Sequence, residues 1–64
     1  MGIGDRVILT AQSRAMMGYK MDMEGVIVDV LEGESYPYVV NFPEMGKDHK
    51  EFFDRYELIN VGNS

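Results

Sequence analysis

Hydrophobic and polar positions in this chain alternate over short stretches separated by glycine, proline and charge. Asp5-Arg6-Val7-Ile8-Leu9-Thr10 follows Gly4 and is rich in branched side chains, which predicts a first strand with Val7 and Leu9 on one face. Gly25-Val26-Ile27-Val28-Asp29-Val30-Leu31 predicts a second. Its simplest alternation buries Val26, Val28 and Val30 and exposes Asp29, leaving Ile27 unaccounted for; a bulge or bend would turn Ile27 inward instead. Tyr36-Pro37-Tyr38-Val39-Val40-Asn41-Phe42 predicts a third strand with Tyr38, Val40 and Phe42 on one face. Pro37 has no N–H for a ladder bond, so it belongs at the strand's start or on an edge.

Glu51-Phe52-Phe53 reads as a short fourth strand, Asp54-Arg55-Tyr56-Glu57 as one helical turn capped by Asp54, and Leu58-Ile59-Asn60-Val61 as a fifth strand. Gly62-Asn63-Ser64 should fray. Between the strands lie the turn Glu32-Gly33-Glu34-Ser35, a polar loop over residues 43–50 and the long segment "AMMGYKMDMEG" at 15–25. Glycine, proline and β-branched residues punctuate the chain too often for a continuous helix of useful length. The expected fold is all-β, a five-stranded barrel in which residues 1–64 form one domain ordered from Gly4 to about Val61.

The segments "GDRVIL", "EGVIVDV", "YPYVVNF" and "FFDRYELINV" together resemble SH3-like barrel domains over Gly4 to Val61. In texture they are similar to the small accessory proteins of photosynthetic electron transport, both the barrel protein of photosystem I and the variable chain of ferredoxin:thioredoxin reductase. Those show a like Gly-x-Val strand, a Tyr-Pro-x-x-Val-x-Phe strand and a late Glu-Leu. The first two elements, with the turn glycine at Glu24-Gly25, also resemble KOW-type domains. That likeness implies nucleic-acid or protein contacts through basic loops, whereas this chain is acidic. Because SH3-like barrels serve many unrelated roles, the resemblance implies a fold more than an activity.

Charge and composition narrow the function classes. Six basic and eleven acidic side chains give a net charge of −5, a poor match to phosphate backbones and a better one to basic partners. No apolar run approaches the ~20 residues of a membrane span. The N-terminus lacks the pattern of a signal peptide, and Arg6 stands where a myristoylation motif needs Ser or Thr. With no cysteine, there is no disulfide framework and no thiolate chemistry, so a cytoplasmic protein is expected.

Chemistry-bearing residues are sparse. His49 is the single histidine, and flanking Asp48, Glu44 and Glu51 do not by spacing alone supply the three or four convergent ligands of a metal site. Ser13, Ser35 and Thr10 have no motif that pairs a nucleophile with a base. Gly2-Ile3-Gly4 lacks the third glycine and following helix of a phosphate cradle. A chain of 64 residues is also too small to enclose a ~300 Å³ substrate cleft readily. The expectation is no enzyme, no metal and no cofactor.

The methionine-rich segment carries the strongest signal for a partner. Methionine fills irregular gaps in a core and also recurs at adaptable binding surfaces. Of Met16, Met17, Met21 and Met23, two are expected to cap the core. The rest, with Tyr19, Lys20, Tyr36 and Tyr56, form a candidate protein-binding patch, and Asp22, Glu24, Asp29, Glu32 and Glu34 a candidate acidic rim. These residues lead to a non-enzymatic protein-binding module. The alternatives are a small acidic inhibitor that occupies a basic nucleic-acid-binding surface on another protein and, third, KOW-like nucleic-acid binding. An apolar loop patch also leaves self-association open.

Overall fold

Branched and aromatic residues at alternate positions form each strand of the sheet. The computed structural model describes residues 1–20, 23–46 and 49–62. Its strands are β1 (Arg6–Leu9), β2 (Glu24–Val30), β3 (Tyr38–Asn41), β4 (Lys50–Phe53) and β5 (Leu58–Gly62), with a helix α1 (Ala11–Met17) and 3-10 turns at Pro43–Met45 and Arg55–Glu57. All neighbours run antiparallel in one sheet of order β4-β3-β2-β1-β5. Among the described residues no ladder joins β4 to β5, so the sheet has two edges.

Val7, Leu9, Met23, Ile27, Val40, Phe42, Phe53 and Leu58 pack together on one side of the sheet, with Met17, Tyr19, Val30 and Tyr38 at their margin. Phe42 meets Phe53 edge to face at 5.8 Å, the arrangement that aligns the positive rim of one ring with the negative face of the other. Val7 and Leu9 point inward as the alternation of β1 requires.

Strand β2 departs from its simplest reading. Gly25 and Ile27 are buried, whereas Val28 is exposed and Val26 and Val30 are half-buried. The ladder explains the change: Ile27 lies opposite Val40, but Asp29 rather than Val28 lies opposite Val39, so Val28 is the extra residue of a bulge. Ile27 fills the core at no exposure, and Gly25 lets the strand approach Val40 and Phe42 closely.

The expectation that no useful helix would form is corrected by α1. Ala11-Gln12-Ser13-Arg14-Ala15-Met16-Met17 contains no glycine, proline or β-branched residue, and both ends are capped. The Thr10 hydroxyl oxygen accepts the Ser13 N–H, and Gly18 closes the helix in the left-handed region at φ 71°. Seven residues are too few for an isolated helix. Tertiary ties hold it: Ser13 Oγ donates to Glu57 Oε2 at 3.3 Å, the Thr10 N–H donates to the Glu57 carbonyl at 3.0 Å, and Met17 packs on the core.

Glu57 belongs to the expected turn before the last strand. The Tyr56 and Glu57 N–H groups donate to Asp54 Oδ1 at 2.9 and 3.1 Å, and the Asp54 N–H donates to Glu57 Oε1 at 3.0 Å, completing a capping box.

Candidate protein-binding surface

Antiparallel partners opposite one another project from the same face, so the ladders sort side chains into inner and outer rows. Ile27, Val40 and Glu51 form one row and Val30, Tyr38 and Phe53 another, both on the core side. Asp29, Val39 and Phe52 form a row on the opposite, outer face. Val39 is only 7% exposed yet stands apart from the main core, while Phe52 beside it is 58% exposed. An aromatic ring on an outer face, left open while its neighbour is covered, marks apolar surface outside the core.

A hairpin turn completes this surface. The Leu31 N–H donates to the Pro37 carbonyl at 2.7 Å, and Gly33, at φ 85°, supplies the left-handed residue that the reversal needs. The turn carries Leu31, Glu34, Ser35 and Tyr36 to the side of Phe52, and together they line an open recess of about 260 Å³ with a mainly apolar wall. Its polar groups are the Glu34 carboxylate and the Ser35 hydroxyl. Asp29 continues the row beneath it and Glu32 stands exposed in the same turn. Lys50, two residues before Phe52 on β4, is the base that shares its outer face. Contact area and negative charge are what this arrangement offers a ligand.

The expected patch residues are dispersed over several elements. Met16, on α1, is 81% exposed, and Met17 is half-buried against the core. Met23 is buried, while Met21 and Asp22 lie outside the described residues, so the expected division of the four methionines is met by Met16 and Met23 at its two extremes. Lys20 is exposed. Tyr56 is 82% exposed beside Glu57, near the start of α1, and Tyr36 lies in the recess. Glu24 is exposed on β2 and reaches Arg6 at 3.8 Å, a solvent-screened pair of small energetic weight.

Tyr19 turns inward instead of joining the exposed tyrosines. Its ring meets Phe42 edge to face at 5.1 Å and its hydroxyl lies 2.9 Å from His49 Nε2, which also lies 3.1 Å from Glu51 Oε1. One ring nitrogen serves both oxygens: protonated, it donates toward Glu51 and Tyr19; unprotonated, it accepts the Tyr19 hydroxyl proton beside the Glu51 carboxylate. Burial, and secondarily the Glu51 charge, raise the Tyr19 pKa above the ordinary phenol value. The residues Ile8, Leu9, Arg14, Tyr19, Lys20 and Met23 close on one another too tightly to admit water, so this end of the methionine segment acts as a lid. Among the described residues no three His, Asp or Glu side chains converge as metal ligands, and no helix is long and apolar enough to cross a membrane.

The chain gives no significant match to any protein-family model, curated protein or solved structure.

Its function must therefore be argued from its own surface. Sequence reasoning missed Leu31, Val39 and Phe52. The available signal was the pair Phe52-Phe53: in a strand, adjacent aromatic residues must face opposite ways, so one of them had to leave the core.

Proposed function

We propose that this chain is a non-enzymatic protein-binding module of SH3-like barrel type whose contact surface is the outer-face recess of Leu31, Tyr36 and Phe52. The exposed Phe52 ring carries this reading, because aromatic residues in apolar recesses are enriched at protein interfaces. Five consecutive antiparallel strands, the longest connection after the first and a helical turn before the last support the barrel architecture. Relative to the patch expected from sequence, the reading keeps Tyr36, assigns Tyr19 to the lid and leaves Met16 and Tyr56 as a separate exposed region.

Affinity capture from the native host with wild type and with the Y36S/F52S double variant tests this, provided both proteins unfold at similar temperature. A partner lost from the double variant and kept by M16S/Y56S supports the recess. Equal capture by wild type and Y36S/F52S refutes it.

The second reading, a small acidic inhibitor of a nucleic-acid-binding protein, draws on one observation. Asp29, Glu32 and Glu34 are exposed, and among the described residues none of them is in an ion pair. Capture that is competed by DNA or RNA and weakens steeply with salt would favour it over apolar docking.

A further inference from the structure

We infer that the recess takes a basic peptide segment that presents one bulky apolar side chain, with Lys or Arg on either side of it. This deepens the protein-binding reading and rests on it. The volume of about 260 Å³ lies just below the range of pockets that enclose small-molecule ligands, and the recess is open, so a single inserted side chain fits it better than a free metabolite. The floor provides the apolar contact through Leu31, Tyr36 and Phe52. Asp29, Glu32 and Glu34 surround that contact with negative charge, opposed on the outer face by Lys50.

Charge complementarity decides the occupant. A nucleic acid would bring phosphates to these carboxylates. A second copy of this chain would bring its own acidic surface and a net charge of −5 to one that is already −5. A cationic segment gains attraction during approach and loses little desolvation energy, since the three carboxylates stay at the exposed margin while the apolar side chain alone is buried. The apolar anchor supplies most of the affinity and the flanking charge the selectivity.

The probe is a fluorescein-labelled peptide, Lys-Lys-Ser-Phe-Ser-Lys-Lys, titrated with the intact protein by fluorescence anisotropy. Two control peptides replace Phe by Ser or every Lys by Glu, and amide chemical-shift mapping locates the contact. The Lys/Phe peptide is expected to shift the Leu31, Tyr36 and Phe52 amides and to bind about tenfold more tightly than either control. F52S should lose about tenfold, and E34Q about two- to fivefold in low salt, a difference that shrinks as salt screens the carboxylate.

Tighter binding of the Glu/Phe peptide, shifts confined to the Met16 and Tyr56 region, or no binding at millimolar peptide overturns the inference. So do concentration-dependent shifts at the same amides without peptide, which would assign the recess to a second copy. If Y36S/F52S abolishes capture of a partner whose contacting segment is acidic or neutral, the protein-binding reading stands and the basic-peptide inference falls. Capture unaffected by Y36S/F52S removes the reading itself.

Discussion

Gly25→Ala adds one methyl group where the sheet has no room for it. Gly25 lies opposite Val7 and is buried under β3. A Cβ built there runs into Val40 Cγ1 and lies 2.9 Å from Phe42 Cε1 and 3.0 Å from the Asn41 carbonyl oxygen. Val40 and Phe42 are wholly buried and Asn41 is fixed in the ladder with Val26, so none of the three can move aside cheaply. Replacing glycine by alanine would by itself stabilise a strand by about 0.4–1 kcal/mol, because the unfolded chain loses freedom. Overpacking of a filled core costs about 1–3 kcal/mol and wins. The expected net loss of about 1–2 kcal/mol should lower Tm by about 4–8 °C per kcal/mol in a chain of this size. Urea and thermal unfolding followed by circular dichroism measure it, with Gly2→Ala, where nothing lies within 4 Å, as the neutral control. Shortening the obstructing side chain should relieve the clash, so G25A/V40A should lose less than the sum of its single variants. A G25A protein as stable as wild type would refute close approach at this position.

Three other perturbations separate the lid, the cap and the core. Tyr19→Phe keeps the ring against Phe42 but removes the hydroxyl bond to His49, for an expected loss of about 1 kcal/mol measured by urea unfolding. Because the folded pKa of Tyr19 is raised, its contribution is present below the unfolded phenol value of about 10 and is lost as pH rises through the higher folded value; the stability of Y19F should therefore fall less than wild type's above about pH 10. Asp54→Ala removes the acceptor of the Tyr56 and Glu57 N–H groups and should cost about 1 kcal/mol, seen as a lower Tm. Phe53→Ala empties a site that is 1% exposed and should cost about 3–5 kcal/mol, leaving a population of unfolded chain detectable by circular dichroism at ordinary temperature.

Elements with one dominant constraint were legible in the sequence. Val7 and Leu9 could share only one apolar face, and Asp54 with Glu57 three residues later set the turn before β5. Strand β2 was less legible because Gly25 and Ile27 compete with Val26, Val28 and Val30 for the same face. Choosing between them needs the side chains of β3, which lie more than ten residues away. Helix α1 was hidden by its length: its seven residues favour a helix weakly, and the link from Ser13 to Glu57, far along the chain, holds it in place. Tyr19 was assigned outward for the same kind of reason, since its partners Phe42 and His49 come from the far side of the sheet.

The bulge in β2 connects the core to the recess. With an uninterrupted ladder, Val28 would lie opposite Val39 on the outer face, and Asp29 would follow opposite Tyr38, on the side where Phe53 and Val30 now pack. A carboxylate there would be desolvated without a partner, at a cost well above that of a local irregularity in the ladder. Inserting Val28 as the extra residue lets Asp29 take the place opposite Val39 and returns Val30 to the core side opposite Tyr38. The Val30 N–H donates to Asp29 Oδ1 at 2.8 Å, which gives this backbone donor next to the bulge a local partner. The same shift that keeps charge out of the core thus sets a carboxylate in line with Val39 and Phe52 on the outer face. Acidic character beside an apolar recess is therefore a consequence of how β2 buries Ile27, and a change that removed the bulge would alter the core and the binding surface together.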